Sequence, residues 1–388
     1  MSLNLDKSHW KRVAFGDVVR NVNETVRDLE AAGIKRVIAM EHMDPGELNV
    51  SRWGSTEDGT TFTRRVKPGR TLFGKRRAYQ RKVAYAEFDA ICSGDIYTFE
   101  ADETQLRGEL LPFLVQSNGF FEHALGTSAG SLSPRTNWRD LKDFKFDLPP
   151  FEEQKRIADL LWAIERHRYA LGKQAAELAT IATETFESVA APSEVTRLHA
   201  WVERIDAGRS PRAATEPAED GKLGVLKVSA VGRDLFVPEE NKRLLDAADF
   251  RPGDTVRAGD VLVTRANAVV DNVARPCLVD RDFPNLMLSD KTLRLVARKG
   301  YPGRLLLAAL RSPAYRSYVR EVVNGTEAKN ISQAKILAGP VPALATSEIV
   351  AITESLTSLD TASATLGSEA DTLTAVKRSI LADVFGGN

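Results

Sequence analysis

The chain has 388 residues, which is too long for one ordinary domain and fits two domains of about 150 residues with connecting segments. An apolar fraction of 43% and a charged fraction of 27% are typical of a globular protein, and no apolar run reaches the roughly 20 residues of a membrane helix, so we expect no membrane partner. The 53 basic residues balance the 53 acidic ones, and two cysteines give neither a disulfide framework nor a metal cluster, which favours a reducing cytoplasm and no metal site.

The first segment with an unusual composition is strongly basic. From residue 59 to residue 86 there are nine Lys and Arg residues and no Asp or Glu. Cations without a counter-ion repel one another unless an anion faces them, and DNA phosphate is the commonest such anion. Interleaved Tyr and Gln side chains contact sugars and base edges. The sequence therefore predicts a DNA-binding segment, and a solvated loop is the alternative. The predicted DNA-binding residues are Arg64, Arg65, Lys67, Lys75, Arg76, Arg77, Tyr79, Gln80, Arg81 and Lys82.

A long helix is predicted at residues 151–186, directly after Pro149 and Pro150. Its apolar residues recur at spacings of three and four, as in the seam of a coiled coil. Arg168 lies in this seam. Either its stem packs and its head reaches solvent, or it has a specific role, as a control of register or as the partner of an acid on the other helix or on a bound subunit. The predicted pairing residues of this helix are Ile157, Leu161, Ile164, Leu171 and Leu178.

The same seam returns 195 residues later, near the end of the chain. It is again preceded by prolines, Pro340 and Pro342. Lys377 lies at a seam position, and the same interpretations apply to it as to Arg168. The predicted pairing residues of the second helix are Ile352, Leu356, Leu359, Leu366 and Leu373, and each of them superimposes on its counterpart in the first helix under this shift. The chain therefore repeats the order domain, helix, domain, helix.

The repeat extends into the domains. Val66-Lys67-Pro68-Gly69 and Val256-Arg257-Ala258-Gly259 each introduce a short apolar strand, and Gly126-Thr127 corresponds to Gly325-Thr326. The counterpart of the basic segment begins near Thr264. Because Arg and Asn can bind guanine and adenine through two hydrogen bonds, we expect DNA contacts there as well, from Arg265, Asn267 and Arg275. Residues 304–320 are predicted to form one helix in an otherwise strand-rich domain.

These patterns predict an α+β protein with two globular domains and two long helices. The predicted boundaries are 1–148 for the first domain, 149–192 for the first helix, 193–342 for the second domain and 343–388 for the second helix. An internal repeat of this kind predicts pseudo-twofold symmetry, with the two seams paired antiparallel.

The sequence gives no sign of catalysis. Asp147-Leu148-Pro149-Pro150-Phe151 resembles the active-site turn of amino-methyltransferases, but Leu148 stands where the carboxylate or amide must precede the prolines. No glycine-rich loop between a strand and a helix offers a cofactor site, so we expect no cofactor. We therefore disfavour a self-sufficient modifying enzyme, which methylation by the purified chain alone would revive.

Taken together, the chain resembles the specificity subunits of type I restriction-modification systems over nearly its whole length. The most specific match is residues 148–158, which are similar to the family's proline-proline, Glu-Gln entry into the first central helix. Supporting segments are residues 83–84, 88–93 and 288–295, and Gly325-Thr326 with residues 329–331. The second half departs from the pattern, because Pro342-Ala343-Leu344-Ala345 lacks the Glu-Glu-Gln signature.

The resemblance implies two target-recognition domains that each read one half of a split site in double-stranded DNA, separated by two antiparallel helices. It also implies that methyltransferase subunits dock on the helices and that a translocating restriction subunit can join them. Two alternatives stay open: a specificity subunit for a methyltransferase that has no restriction subunit, and a coiled-coil scaffold without a DNA function.

Overall fold

The chain folds into two compact units in a computed structural model that describes residues 5–128, 134–219, 221–232, 235–323 and 329–386. The first unit combines Met1–Gly172 with Gly367–Asn388, and the second is Lys173–Leu366. Helices and sheets are mixed in both units, which confirms the predicted α+β class. Gly325 and Thr326 lie outside the described residues.

The first unit contains short strands, short helices and the beginning of one long helix. Its elements are β1 (Lys11–Ala14), α1 (Phe15–Val18), β2 (Val19–Asn21), β3 (Arg36–Ile38), β4 (Gly54–Ser55), β5 (Arg64–Val66), β6 (Thr71–Gly74), β7 (Val83–Tyr85), β8 (Ala90–Cys92), β9 (Ile96–Ala101), α2 (Leu111–Gln116), α3 (Asn118–Gly126), α4 (Trp138–Leu141), β10 (Lys145–Leu148) and the long helix α5 (Phe151–Ala190).

Two four-stranded sheets form the first domain. One has the strand order β2-β9-β6-β7, and the other has the order β4-β3-β8-β5, in which β3 and β8 run parallel. The first and last strands of the domain, β1 and β10, pair antiparallel. Phe73 of β6 and Phe99 of β9 lie in the core with Phe120 of α3, because apolar residues of both strands face the helices.

The second unit holds the corresponding elements of the second domain. They are β11 (Val195–Arg197), β12 (Val202–Ala207), β13 (Gly224–Leu226), β14 (Asn241–Arg243), β15 (Thr255–Val256), β16 (Val261–Thr264), β17 (Ala266–Asn267), β18 (Pro276–Leu278), β19 (Phe283–Met287), β20 (Thr292–Ala297), α6 (Gly303–Arg311), α7 (Pro313–Val322), β21 (Lys329–Asn330), α8 (Gln333–Leu337), β22 (Pro340–Pro342) and the long helix α9 (Thr346–Phe385).

The internal repeat predicted from the sequence is present in the strand order. The sheets of the second unit have the orders β12-β20-β16-β18 and β14-β13-β19-β15, and β13 and β19 are the parallel pair. β11 and β22 pair as β1 and β10 do. The two long helices have 40 residues each and begin at Phe151 and Thr346, which is the shift of 195 that the seams predicted.

The Val-to-Gly segments of the two domains also share their conformation. Gly69 and Gly259 have φ angles of +87° and +84°, in the left-handed region that glycine adopts without steric cost. Each donates its N–H across the hairpin that follows, to Ala86 and Val279 respectively. The matched turns therefore direct the chain into β6 and β16 in the same way.

One predicted element is wrong. Residues 304–320 do not form a single helix, because the chain breaks between α6 and α7 at Ser312 and Pro313. Proline lacks the N–H that a continuing helix needs, and the Ser312 hydroxyl caps the new helix by accepting a hydrogen bond from the Tyr315 N–H.

The entry of α5 is fixed by one buried glutamine. Gln154 donates to the carbonyl oxygens of Gln105 at 2.9 Å and Pro149 at 3.0 Å, and its Oε1 accepts from the Arg107 N–H at 2.9 Å. A buried amide requires such partners. At the equivalent place in α9 stands Ile349, which lies in the core of the second unit. The missing Glu-Glu-Gln signature thus reflects an apolar contact in place of a polar one.

The predicted seam residues differ in burial along each helix. The buried ones are Ile157, Leu161, Ile164 and Leu171 in the first unit and Ile352 and Leu356 in the second. The half-buried ones are Leu178, Leu359, Leu366 and Leu373, of which Leu373 packs against the core of the first domain. Within the first unit the α5 and α9 segments run antiparallel, because Glu165 contacts Lys377 while His167, two residues further along α5, contacts Glu369.

The seam charges of the first unit form one buried cluster. Lys377 Nζ lies 2.6 Å from Glu165 Oε1, which also lies 3.1 Å from the Arg168 guanidinium. Arg168 in turn reaches Glu47 of the first domain at 2.8 Å. Burial lowers the pKa of Lys377, although Glu165 acts in the opposite direction. Of the two interpretations of the seam cations, the structure supports the acidic partner, which for Lys377 lies on the other helix.

We predict that Glu165→Ala lowers the free energy of unfolding by about 3 kcal/mol or more, because Lys377 and Arg168 lose the carboxylate that both contact in the interior. Glu369→Ala is the matched control, since it removes an acid from an exposed pair between the same helices and should cost less than about 1 kcal/mol. Urea unfolding at neutral pH measures both values. Equal losses for the two variants would contradict a special role for the buried cluster.

Candidate nucleic-acid interface

The basic segment divides into two parts with different surroundings. In the first part, Arg65 forms ion pairs with Glu24 at 3.2 Å and Asp89 at 2.6 Å. Lys67 lies 2.9 Å from Glu24, and the buried Arg70 lies 3.3 Å from it. These acids come from outside residues 59–86, so the segment is locally neutralised by chain segments that are distant in sequence.

The electrostatics of this first part are those of a structural network. The hydrogen bond from Lys67, with further help from Arg70, lowers the pKa of Glu24 below its ordinary value. Arg64 is also engaged, because its guanidinium donates to Asn23 Oδ1 at 2.9 Å and to the Ile96 carbonyl oxygen. The absence of counter-ions that the sequence suggests therefore does not hold for Arg65, Lys67 and Arg70, and Arg64 is bound by neutral groups.

The second part is the loop of residues 74–82, which connects β6 to β7. Its centre is a 3-10 turn at Ala78–Gln80, flanked by Arg77 and Arg81 with φ angles of 56° and 52°. Backbone hydrogen bonds attach the loop to two neighbouring segments. The Lys75 N–H donates to the Asp95 carbonyl at 2.9 Å, and the Arg77 N–H donates to the Pro134 carbonyl at 2.8 Å. The loop is thus a fixed surface feature.

Three cations of this loop hold it against the domain. The Lys75 ammonium lies 4.9 Å from the centre of the Tyr97 ring, and burial lowers the pKa of Lys75. Arg81 lies 4.6 Å from the centre of the Phe121 ring and donates to Asn118 at 2.5 Å. Lys82 donates to the Met40 carbonyl oxygen at 2.7 Å.

The remaining side chains of the loop face outward. Arg76 and Arg77 are exposed, Tyr79 is 55% exposed, and Gln80 is half-buried. Arg76, Arg77 and Gln80 line an open pocket of about 440 Å³ together with Asp95. Guanidinium and amide groups are the side chains that bind base edges and phosphates, so this surface has the chemistry of a DNA contact.

Sequence reasoning missed two residues at this surface, Asp95 and Arg135. Asp95 lies between β8 and β9 and is 3.5 Å from Arg76 and 3.2 Å from Arg135. Arg135 is placed there because its backbone forms an antiparallel bridge with Arg76. Arg76 and Arg135 are far apart in the chain, so no local sequence pattern indicates that they pair.

The second unit repeats the loop between β16 and β18. The Arg265 N–H donates to the Lys291 carbonyl at 2.8 Å, as the Lys75 N–H donates to the Asp95 carbonyl in the first unit. The Arg275 carbonyl accepts from the Thr264 N–H at 3.1 Å, as the Lys82 carbonyl accepts a backbone hydrogen bond in the first unit. Arg265, Asn267 and Arg275 therefore correspond to Lys75, Arg77 and Lys82. The three candidates of the second unit thus match three candidates of the first by position, although the second loop is longer and Asn267 lacks the positive φ of Arg77.

The candidates of the second loop differ in how accessible they are. Arg265 is exposed and Arg275 is half-buried. The Asn267 Oδ1 accepts hydrogen bonds from the Val269 N–H at 3.0 Å and from Asn272 at 3.4 Å. Reading adenine through two hydrogen bonds would require this amide to leave its local turn. Lys291, an exposed cation beside Arg265, is a further residue that the sequence did not single out.

The segment that resembles a methyltransferase turn has a structural role. Asp147 lies on β10 and forms an ion pair with Arg12 on the neighbouring strand at 3.1 Å, and Leu148 is buried. The prolines that follow lead directly into α5.

Residues 8–178 match the family model described as "Type I restriction modification DNA specificity domain". This segment is similar to a type I DNA specificity domain. This match covers the first domain with its outward-facing basic loop and the first part of α5. The resemblance that residues 148–158 suggested is thereby confirmed.

Named relatives and a solved structure agree with the specificity domain. The chain is 38% identical over 99 residues to the "Type I restriction enzyme EcoEI specificity subunit" and 29% identical over 102 residues to the "Type I restriction enzyme EcoDI specificity subunit", both from Escherichia coli. These matches cover 25% and 26% of this chain, and 16% and 22% of the relatives. The crystal structure of the type I restriction-modification S subunit from M. genitalium shares the fold, with a TM-score of 0.57, 12% identity and coverage of 100% of this chain and 99% of that chain.

Neither a membrane-spanning helix nor a cluster of metal ligands is found in the part of the chain that the structure describes. In that part, none of the helices is both long and apolar enough to cross a membrane. Within the same residues, no group of three or more His, Cys, Asp or Glu side chains is arranged to hold a metal ion.

We predict that Glu24→Gln destabilises the protein at neutral pH and that this difference from the wild type shrinks as the pH falls. The folded-state pKa of Glu24 lies below its ordinary value of 4.5, so its contribution is complete above that value and is lost as the pH drops towards the lower folded pKa. Urea unfolding of both proteins at a series of pH values tests this. A difference that stays constant down to acid pH would show that the charge of Glu24 does not matter.

Proposed function

We propose that the chain is the DNA-sequence-specificity subunit of a type I restriction-modification complex and that it carries out no catalysis itself. Target-recognition domains at residues 1–148 and 193–342 each read one half of a split site in double-stranded DNA, in the cytoplasm. The carrying observation is the loop between β6 and β7, which recurs between β16 and β18 with basic residues at matched positions. The family match and the named relatives support the same function.

Within each domain, different residues would do different work on DNA. Lys and Arg side chains bind phosphate and supply affinity, while a few polar side chains bind base edges and supply specificity. Arg76, Arg77, Tyr79 and Gln80 are the best placed in the first domain, because they face outward from a fixed loop. Arg265 is the best placed in the second.

The long helices α5 and α9, which lie within the predicted segments 149–192 and 343–388, would act as a coiled-coil spacer between the two target-recognition domains. Two observations support this role: each helix has 40 residues, about 60 Å at 1.5 Å per residue, and Glu165 pairs with Lys377 across them. Methyltransferase subunits would dock on the helices and carry the methyl donor. A restriction subunit would complete the complex. The alternative is a specificity subunit for a methyltransferase that works without a restriction subunit. The neighbouring reading frames in the genome would distinguish the two cases.

We predict that Arg77→Gln weakens DNA binding and that Lys67→Gln does not. Both changes remove one positive charge from the same basic segment, but Arg77 is exposed on the loop whereas Lys67 pairs with Glu24. Loss of one phosphate contact should reduce the slope of log K against log salt by about 0.9. Fluorescence anisotropy with labelled DNA over a range of salt concentrations measures this in the assembled complex. An equal effect of Lys67→Gln would mean that the whole segment faces DNA.

We also predict that four residues inserted after Gly172 and after Gly367 lengthen the unread spacer by one or two base pairs. These glycines are matched by the shift of 195, and each insertion adds roughly 6 Å of helix against about 3.4 Å per base pair. Sequencing of methylated sites measures the spacer and the half-sites, which should not change.

The control for the insertion is Gly172→Ala with Gly367→Ala, which alters the same positions without adding length. No described atom lies within 4 Å of a Cβ added at either glycine, so this variant should keep the wild-type spacer. Changed half-sites with an unchanged spacer in the insertion variant would rule out the helices as the spacer.

A further inference from the structure

A single carboxylate holds two arginines side by side at the DNA-facing loop of the first domain. Asp95 Oδ2 lies 3.5 Å from Arg76, and Asp95 Oδ1 lies 3.2 Å from Arg135. Asp95 itself is mostly buried, with 21% of its side chain exposed, while the two guanidinium groups are 44% and 57% exposed. The carboxylate therefore lies beneath the arginines, and the arginines lie towards solvent.

The backbone forces the two arginines together. Arg76 and Arg135 are partners in an antiparallel bridge, and the side chains of directly opposed residues emerge on the same side. Two like charges in such a pair repel one another, so a shared carboxylate is needed to keep both in one orientation. Asp95 is fixed for this purpose, because its carbonyl accepts from the Lys75 N–H and its own N–H donates to Ser93 Oγ at 3.2 Å.

The second domain provides an internal comparison. Its backbone has the same bridge, but Ala266 and Asn330 replace the two arginines, and Lys291 replaces Asp95. The carboxylate is thus absent where the arginine pair is absent. This joint change is expected if the function of Asp95 is to orient the arginines. The second loop makes the same backbone hydrogen bond to Lys291 without a carboxylate there, so the loop does not need the carboxylate for this contact.

We propose that Asp95 is a positioning residue that presents Arg76 and Arg135 to guanine edges in the half-site read by the first domain. Arginine is the side chain that binds guanine O6 and N7 through two hydrogen bonds, and a guanidinium held in place loses less rotamer entropy on binding. The inference rests on the proposed function. It adds that the two half-sites are read by different chemistry. Of the two matched bridges, the one in the first domain carries an oriented arginine pair and the one in the second domain does not.

The test uses the full chain assembled with methyltransferase subunits and sequences the methylated sites. Asp95→Asn should lower the preference for guanine at one or two positions of one half-site by about tenfold, and the other half-site should stay unchanged. Asp89→Asn is the matched control: it removes an acid that pairs with Arg65, away from the loop, and should leave both half-sites unchanged.

Two further variants separate orientation from loop stability. Arg135→Lys keeps the charge at an exposed position but loses the planar fork, so it should relax the same guanine positions even if Asp95→Asn fails to fold. In a chain with Arg76→Lys and Arg135→Lys, adding Asp95→Asn should have no further effect on specificity, since there is no guanidinium pair left to orient.

The outcomes that overturn the inference are distinct from those that overturn the proposed function. Unchanged guanine preference in Asp95→Asn and Arg135→Lys, or equal loss at both half-sites, would reject the positioning role while leaving the specificity subunit intact. A wild-type complex that methylates no bipartite sequence would reject the proposed function and this inference with it.

Discussion

A carboxylate that is buried between two helices needs cations beside it, and Glu165 meets that need in the first unit. Lys377 reaches it from α9 and Arg168 from its own helix, while Arg168 also contacts Glu47 of the domain. A shift of either helix by one turn would separate Glu165 from Lys377 and leave the Lys377 ammonium in the interior without this carboxylate, while Glu165 would keep only Arg168. The cluster therefore fixes the register of the helices in this unit and attaches them to the domain.

The same principle of charge matching explains how a chain with no net charge can present a basic surface. Most cations of the segment that stood out in the sequence are bound by Glu24 and Asp89, by ring faces or by carbonyl oxygens. What faces outward is a small group on one loop. DNA binding would then depend on a few placed side chains, and the total charge of the protein would say little about it.

The sequence predicted the long helices best, because apolar residues that keep spacings of three and four over 40 residues are typical of a long helix and of few other structures. It also located the loops of both domains. It could not reveal which cations of a basic run are neutralised, since Glu24, Asp89 and Asp95 lie outside that run. The break at Ser312 and Pro313 was overlooked because helical spacing continues on both sides of it.

The left-handed residues of the two loops bear on how the target preference of such a protein can change by substitution. Arg81 and Ala274 occupy matched positions with φ angles of 52° and 49°, a conformation that costs an L-residue roughly 1 kcal/mol or more. Their side chains have nothing in common, so the strain is imposed by the hydrogen bonds that close each loop through the carbonyls of Lys82 and Arg275. The closing hydrogen bond and the left-handed residue before it thus occur with different side chains. New target preferences could arise through point substitutions at exposed positions of the loop, without a change in how the loop is closed.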